Sequence, residues 1–364
     1  MEDLKIYVNF SILAAILIYY FNLKIISKDI LILLLITNLV PIIINLDDAI
    51  YNQFPDQGGY QDNILLIRNY FDFDNLRHRF ENQFLASMLQ LIPIPFINNV
   101  AESSYINRFL LCLFFIYMIK NKYLKNNQIL ILILYPSFIF YSSLFLKETL
   151  IIILISYSYI KLEEKNFSFS FFSIFLAFLI KPLLAAAFFI CFIAYILTNF
   201  FEKFFLKSII ALIAILTLLF PEIFHKGLDF LNLQIYNFNS ENFAYSTEIK
   251  LERNKLAFNL DLITYFLKSV LDFWLRPYLY ETTKFIQTFQ FFENLIVLSL
   301  FVNLLSKVYS KCKSKFYYFI CSITFISLPY SLIVANAGTL SRYRFTILAI
   351  FLIIIFYQLN FKKK

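Results

Sequence analysis

The sequence has little glycine and histidine, and these shortages exclude several kinds of functional site. Only four glycines occur in 364 residues, and none forms a Walker-type or dinucleotide-binding loop, so use of ATP or NAD is not expected. The two histidines, His78 and His225, lack ligand-like partners at fixed spacing, and no metal site is indicated. No Gly-x-Ser-x-Gly element is present. We therefore expect chemistry that needs neither cofactor nor metal.

Cysteine is also scarce, and its positions do not favour pairing. The four residues lie in or near apolar runs or lysine-rich loops, and no two share a predicted outer loop. We expect neither a disulfide nor a zinc site. They are Cys112, Cys191, Cys312 and Cys321.

Long polar stretches are few, because apolar runs separated by short breaks make up most of the chain. The sequence is 60% hydrophobic, with a mean hydropathy of +0.70. Continuous apolar runs favour helices over the alternating pattern of a membrane barrel. We predict an all-α, polytopic transmembrane helical bundle of about eleven spans, forming a single domain over 1–364. The predicted spans are 6–21, 29–46, 104–119, 128–145, 148–162, 167–180, 183–201, 208–220, 288–305, 316–334 and 345–359.

Charge is sorted along the chain. Six short segments hold sixteen lysines, no arginine, and four acidic residues if Asp29 is included. By the positive-inside rule these segments face the cytosol, and the N-terminus lies outside. The net charge of +8 therefore reflects topology and does not indicate nucleic-acid binding. The segments are 22–28, 120–127, 161–166, 202–207, 306–315 and 360–364.

All eight arginines fall on the predicted outer side, against both the positive-inside rule and the chain's preference for lysine. A guanidinium group grips phosphate and carboxylate bidentately, which lysine does poorly. The pattern predicts a membrane enzyme that handles a phosphorylated or anionic substrate at its outer face. The arginines are Arg68, Arg77, Arg79, Arg108, Arg253, Arg276, Arg342 and Arg344.

Two long outer segments, 47–108 and 221–287, are too polar to span a membrane and too apolar to be simple linkers. In the second, apolar residues recur at helical spacing. We predict an amphipathic helix there, which either lies on the membrane surface with Trp274 at the interface or packs on the spans. The apolar positions are Leu260, Ile263, Leu267, Val270, Leu271 and Trp274.

The first outer segment carries a cluster with Asp56, the adjacent glycines Gly58 and Gly59, and Tyr60. Paired glycines permit a sharp turn or a close approach of the backbone to a ligand. Asp56 is placed to deprotonate a sugar hydroxyl. The same residues also fit a solvated turn with a polar cap.

Two short outer turns carry isolated charges. Lys147 and Glu148 follow a span that Pro136 should kink, and Lys181 occupies the next outer turn. Charges at such short connections either snorkel to water or line a cavity. The functional interpretation is a charge pair at the mouth of a site and a phosphate contact, and the alternative is two ordinary polar turns.

The last two clusters combine arginine with aromatic or small residues. Arg276 and Glu281 are flanked by aromatic residues, which suits a phosphorylated sugar or an interfacial aromatic belt. Arg342 and Arg344 follow Gly338, Thr339 and Ser341, which predicts a compact loop with two guanidinium groups. Such a loop would form a diphosphate clamp.

These marks resemble bacterial polysaccharide-assembly proteins, namely the O-antigen and exopolysaccharide polymerases of the Wzy-type and EpsG-like group. That group is related in architecture to membrane glycosyltransferases of the GT-C type. Lys147 and Lys181 stand where arginine would be expected in relatives, which departs from the pattern. The resemblance rests on Asp56 with Tyr60, the Pro136 span with Lys147 and Glu148, Arg276-Pro277 with Glu281, and the Gly338-Thr339 loop ending in Arg342 and Arg344.

The resemblance implies a reaction between two undecaprenyl-diphosphate-linked oligosaccharides at the outer face of the bacterial cytoplasmic (inner) membrane. Asp56 or Glu148 would accept the hydroxyl proton, and no cofactor is implied. The implied partners are the lipid-linked glycan, membrane lipid and a polysaccharide chain-length regulator. Substrate binding is expected from Tyr60, Arg68, Lys147, Lys181, Arg276, Glu281, Arg342 and Arg344.

Three alternatives stand beside this interpretation. A glycosyltransferase that uses a polyprenyl-monophosphate sugar would need similar outer charges. A flippase for lipid-linked sugars predicts charges buried at mid-membrane, whereas nearly all charge here lies at segment ends. A purely structural scaffold gives no reason for the outer arginine clusters.

Overall fold

A computed structural model describes residues 2–44, 56–70, 76, 80–200, 229, 232–233, 261–282, 285–334 and 337–360. All regular structure in these residues is helical, which confirms the all-α prediction. The α-helices are α1 (Glu2–Asn22), α2 (Lys28–Thr37), α3 (Val40–Ile44), α4 (Asp56–Tyr70), α5 (Phe80–Leu89), α6 (Val100–Lys120), α7 (Asn126–Leu134), α8 (Pro136–Ser142), α9 (Glu148–Glu163), α10 (Phe167–Ile180), α11 (Pro182–Phe200), α12 (Asp261–Leu275), α13 (Phe285–Lys311), α14 (Lys313–Ile333) and α15 (Ala337–Asn360).

Five of the described helices are long and apolar enough to cross a membrane. These helices are compatible with a multi-pass membrane protein. The count of about eleven spans stays a prediction. The predicted span 208–220 lies outside the described residues. The five candidate spans are Leu4–Asn22, Val100–Lys120, Gln287–Lys311, Lys313–Ile333 and Gly338–Asn360.

Two stretches predicted as single spans are each divided into two short helices. The stretch 128–145 breaks at Tyr135, whose backbone is extended (φ −70°, ψ 111°), and α8 begins at Pro136. Proline lacks an amide hydrogen and fits the first position of a helix, so it starts α8 instead of merely kinking α7. The stretch 29–46 divides between α2 and α3, and Pro41 lies in the first turn of α3.

The predicted glycine turn in the first outer segment is wrong. Gly58 and Gly59 lie inside α4, which runs from Asp56 to Tyr70. No described glycine has a positive φ angle. The pair therefore provides no sharp turn at this point.

The chain divides into two compact units, residues 1–185 with 349–364, and residues 186–348. In the first unit, α9 and α10 are joined by a short turn in which Lys165 has a φ of 60°. The hydroxyl of Ser158 donates to the carbonyl of Ser170 (2.9 Å), and that of Ser173 to the carbonyl of Leu154 (2.7 Å). Small polar residues at the contact let the two helices pack closely.

One end of the first unit gathers segments that the charge pattern assigns to the cytosol. The Tyr123 hydroxyl donates to Glu164, and Asn360 Nδ2 donates to the carbonyl of Tyr123 (3.1 Å) and to Gln128 Oε1 (2.6 Å). Burial, followed by the hydrogen bond to Glu164, raises the pKa of Tyr123. The loops 120–127 and 161–166 and the end of α15 therefore meet, and their cytosolic location stays a prediction.

In the second unit, α12 confirms the helix predicted from apolar spacing and packs on α14. Its buried positions include Ser269, Asp272 and Phe273, whereas Leu267 and Leu271 are 64% and 57% exposed. The helix therefore presents two of its predicted apolar residues outward. Among the other predicted positions, Leu260 lies outside the described residues.

Candidate functional site

Two helices of the first unit, α4 and α6, bond to a short non-helical turn, residues 143–147, between α8 and α9. The amide of Phe145 donates to Gln57 Oε1 on α4 (2.8 Å). Asn107 Nδ2, on α6, donates to the carbonyls of Leu144 and Leu146 (2.7 Å each). These bonds fix the backbone that leads into α9.

Tyr60 contributes to the same place through its ring. The ring is buried and packs edge-on against the Phe145 ring, with 6.4 Å between the centroids. Asp56 begins the same helix one turn earlier and is exposed. The start of α4 therefore lies at the 143–147 turn, although its two sequence-predicted site residues differ in exposure.

A buried ion pair follows the turn. Glu148 Oε1 lies 3.1 Å from Lys181 Nζ, and the two side chains are 1% and 8% exposed. Glu148 is the first residue of α9, where the helix dipole stabilises a carboxylate, and Lys181 immediately follows α10. Removing either partner would leave an uncompensated charge in an apolar environment.

A second, looser pair lies beside the first. Lys147 Nζ is 4.0 Å from Glu81 Oε2, and both side chains are partly exposed. Lys147 and Glu148 are adjacent, so acidic and basic groups from α5, the 143–147 turn, α9 and the end of α10 alternate here. The structure thus brings together three clusters that are separate in the sequence, namely those of Tyr60, Lys147–Glu148 and Lys181.

Arg68, although on α4, is not part of this group. It lies twelve residues after Asp56, about 18 Å along the helix axis. Its guanidinium donates to the carbonyls of Gln90 (3.2 Å), Ile92 (2.7 Å) and Ile94 (2.7 Å). Burial lowers its pKa. Arg68 therefore fixes the loop between α5 and α6.

In the second unit, Arg344 is buried against the end of α12. Its guanidinium donates to the carbonyls of Phe273 (2.9 Å), Trp274 (3.3 Å) and Arg276, and to the hydroxyl of Ser341 (3.2 Å). The last carbonyls of a helix have no partner within the helix, so a guanidinium group at this position caps it. In this arrangement the donors of Arg344 are occupied by the protein itself.

Arg276 is held by acidic neighbours. Its Nη2 lies 3.1 Å from Glu281 Oε1, and its Nε lies 3.7 Å from Asp272 Oδ1. The hydroxyl of Tyr278 donates to Asp272 (2.9 Å), and burial together with this bond raises the pKa of Tyr278 to about 12. Asn294 Nδ2 donates to the carbonyl of Arg276 (3.1 Å). Arg276 and Glu281 of the predicted cluster are therefore in contact, and the charge of Arg276 is compensated by Glu281 and Asp272.

The predicted loop that carries Arg342 and Arg344 is wrong, because residues 338–344 form the first turns of α15. Residues two positions apart on an α-helix are rotated by about 200° around its axis. Arg342 is half-buried and Arg344 fully buried. The two guanidinium groups therefore start from different faces of the helix and do not form a paired loop clamp.

Arg108 was expected at the outer edge of a span, and the structure places it in the interior. It donates to Asn38 Oδ1 (2.8 Å), Ser142 Oγ (2.7 Å) and Thr37 Oγ1 (2.6 Å) and is 2% exposed. Among the described residues, no carboxylate lies within 4.0 Å of it. The signal was the polar pair Asn107-Arg108 in an apolar run.

Sequence reasoning also missed Gln57 and Glu81 as members of the charged group. Gln57 lies next to Asp56, and its role rests on a contact with Phe145, which is 88 residues away in the sequence. Glu81 lies in a segment whose position relative to Lys147 depends on tertiary packing. No local pattern indicates that contact.

Comparisons of the chain with protein-family models, with curated proteins and with solved structures find no match. The basis for any functional statement is therefore the arrangement of the residues described above.

Proposed function

We propose that the protein is a membrane glycosyltransferase that extends a lipid-linked glycan at the outer face of the bacterial cytoplasmic membrane. The donor is an undecaprenyl-diphosphate-linked oligosaccharide, and the product is a longer lipid-linked chain. The observation that supports this most is the buried Glu148–Lys181 pair beside the 143–147 turn. Buried charges are costly in membrane proteins and are concentrated at functional sites.

In the proposed reaction, Glu148 accepts the proton of an acceptor hydroxyl while that oxygen attacks the anomeric carbon of the donor sugar. The bond between the anomeric carbon and the diphosphate oxygen breaks, and its electron pair leaves with the diphosphate. Lys181, 3.1 Å from Glu148, favours the ionised carboxylate that this role needs. Lys147 supplies a partly exposed positive charge at the same turn. Asp56 is the other proposed base.

The arginine cluster of the second unit is proposed to bind an anionic headgroup through Arg276 and Arg342. Arg344 would act as a positioning residue, because it holds the carbonyl of Arg276. A phosphate would have to exchange with Glu281 to reach the guanidinium group of Arg276. Preorganised guanidinium groups stabilise the charge of a bound phosphate group.

The test is chain extension by purified protein in proteoliposomes, with a radiolabelled lipid-linked oligosaccharide and resolution of products by length. Replacing Glu148 with Gln should lower the rate by about 10²–10⁴-fold, the range expected for a lost general base. Glu81→Gln is the matched control, because Glu81 is the partly exposed acid of the same group and should retain most activity. Extension by Glu148→Gln at the parent rate would refute this role.

Two further arms refine the assignment. Asp56→Asn tests the second proposed base by the same assay. Supplying a polyprenyl-monophosphate sugar in place of the diphosphate donor distinguishes the two donor classes, since only the preferred donor should support extension.

A second function, translocation of a lipid-linked glycan, is favoured by one observation. Arg108 is a buried guanidinium group in the candidate span Val100–Lys120, and a flippase predicts such charges within the membrane. Translocation would be measured as transfer of a fluorescent lipid-linked glycan between leaflets, followed by quenching from one side. Movement that is lost in Arg108→Gln but kept in Glu148→Gln would favour this function over transfer.

A further inference from the structure

Three buried side chains around the 143–147 turn have a polar atom without a hydrogen-bond partner among the described residues. The atoms are Gln57 Nε2, Asn107 Oδ1 and Thr149 Oγ1. None of these residues is more than 2% exposed. Leaving a buried donor or acceptor unpaired costs about 1–3 kcal/mol, so three such atoms around one turn call for an explanation.

The orientation of both amides is fixed by their other contacts. Gln57 Oε1 accepts from the amide of Phe145, which leaves Nε2 as a donor. Asn107 Nδ2 donates to two carbonyls of the turn, which leaves Oδ1 as an acceptor. Thr149 Oγ1 can donate or accept. The unpaired atoms therefore comprise one donor, one acceptor and one hydroxyl.

This combination discriminates between ligand classes. A phosphate group at neutral pH offers acceptors, and it would face the acceptor Asn107 Oδ1 unfavourably. A sugar hydroxyl both donates and accepts, so sugar hydroxyls can satisfy all three atoms. The three side chains also come from α4, α6 and α9, and Thr149 directly follows Glu148. A group bound here would lie beside the proposed base.

We propose that Gln57, Asn107 and Thr149 form a subsite that binds the hydroxyl groups of a sugar. The assignment of the ligand as a lipid-linked sugar rests on the proposed function. All three atoms are shielded from solvent. Binding of a sugar therefore requires that the 143–147 turn shift. The turn is not helical and is held to α4 and α6 by side-chain bonds from Gln57 and Asn107.

The chain offers a matched pair of variants on one helix. Thr149→Val removes the unpaired hydroxyl of the subsite and keeps the shape of the side chain. Ser156→Ala removes another buried hydroxyl without a described partner, seven residues further along the same face of α9 and about 10 Å away. Neither change breaks a described hydrogen bond, so neither should lower the thermal unfolding temperature.

The experiment measures lipid adducts on the full-length protein by native mass spectrometry. The probes are hexosyl diacylglycerol, diacylglycerol without sugar, and phosphatidylglycerol. The parent protein should retain hexosyl diacylglycerol about tenfold more tightly than diacylglycerol, which corresponds to one or two net hydrogen bonds. Thr149→Val should reduce this preference about fivefold, and Ser156→Ala should leave it unchanged.

A water-soluble methyl hexoside is the competitor that separates two sources of the sugar. Displacement of the hexosyl lipid means that the sugar head alone is bound, and lack of displacement means that the lipid-borne form is required. Either result supports the subsite when it is coupled to the loss in Thr149→Val.

Equal binding of hexosyl diacylglycerol and diacylglycerol would overturn the proposal, as would equal effects of the two substitutions. The unpaired atoms would then hold water only. Failure of the proposed function is distinguishable, because it would appear as absent chain extension with sugar binding intact. Failure of the subsite alone would leave chain extension unchanged in Thr149→Val.

Discussion

In the first unit, Glu148 and Lys181 pair with each other across two helices, whereas in the second unit Arg344 bonds to the backbone that ends α12. The first arrangement leaves polar atoms without partners around the adjacent turn. In the second, Arg276 Nε also lacks a hydrogen-bond partner among the described residues, but the charge of Arg276 is compensated by Asp272 and Glu281. A cluster of arginines is therefore not by itself a binding site, because backbone carbonyls and carboxylates can occupy the same donors.

The largest expected effect is on the buried pair. Glu148→Gln or Lys181→Met alone should destabilise the protein by about 3–5 kcal/mol, because each leaves one buried charge uncompensated. The double variant should recover much of this loss, since it buries no charge. Stability is measured as the thermal unfolding temperature of detergent-solubilised protein.

Activity measurements on the same three variants distinguish a structural role of the pair from a catalytic role of Glu148. If the pair only stabilises the fold, the double variant should regain activity together with stability. If Glu148 is the base, the double variant should regain stability and stay inactive in chain extension. Additive losses of stability in the double variant would contradict the pairing itself.

Arg344→Ala should have the next largest effect, about 2–4 kcal/mol, because it leaves several carbonyls at the end of α12 without their donor. Arg344→Lys should recover only part of this, since an ammonium group lacks the planar fork. The measurement is again the unfolding temperature.

Arg342→Ala is the matched control for Arg344, from the same helix and of the same residue type. It is half-buried, so its loss should destabilise less. An equal or greater destabilisation by Arg342→Ala would remove the distinction between a capping arginine and one proposed to bind substrate. Weaker binding of a prenyl diphosphate to Arg342→Ala, at unchanged stability, would support a substrate-binding role for Arg342.

The helices could be predicted from the sequence because the patterns that indicate an apolar helix lie within a short stretch of chain. Apolar runs, the lysine-rich breaks between them and the 3.6-residue period of α12 all depend on neighbours in the chain. At Pro136 the predicted kink is a complete break: the residue before the proline is extended, and a new helix starts.

Which side chains form pairs was harder to predict from the sequence. The sequence separates Glu148 from Lys181 by α9 and α10, and no local rule states which charges meet after folding. The predicted loop at Arg342 and Arg344 is wrong because Gly338, Thr339 and Ser341 favour turns locally but do not interrupt the helix here. In the structure they lie in the first turns of a long helix, where tertiary packing overrides local propensity.

Charge reversal at the looser pair should have a small effect. Lys147 and Glu81 are 4.0 Å apart and partly exposed, so the pair should contribute at most about 1 kcal/mol. Lys147→Glu alone should lower stability slightly, and the swap Lys147→Glu with Glu81→Lys should restore it. A swap that also restores chain extension would assign Lys147 an electrostatic role that does not depend on its position in the sequence.

The smallest effect on stability is expected from cysteine labelling. It tests which of the predicted loops face the cytosol. Cys312 is half-exposed between α13 and α14, in a segment predicted to face the cytosol. Burial alone would raise its pKa, but hydrogen bonds at Ser314 and Lys315 and the charge of Lys315 lower it on balance, so a larger fraction of this thiol is ionised than of an unperturbed cysteine. A membrane-impermeant maleimide should label Cys312 in inverted vesicles and not in intact spheroplasts.

Reporter cysteines in a Cys312→Ser background extend the test to the first unit. Lys120→Cys, in a predicted inner loop, should behave like Cys312, and Leu91→Cys, which replaces a residue 79% exposed in the predicted outer segment, should label from outside. Stability and activity should be unchanged in both. Labelling of Leu91→Cys from the cytosolic side would put Glu148 and Lys181 on the wrong face for an externally delivered glycan. The proposed transfer reaction would then fail, even though the buried pair and its energetic coupling would stand.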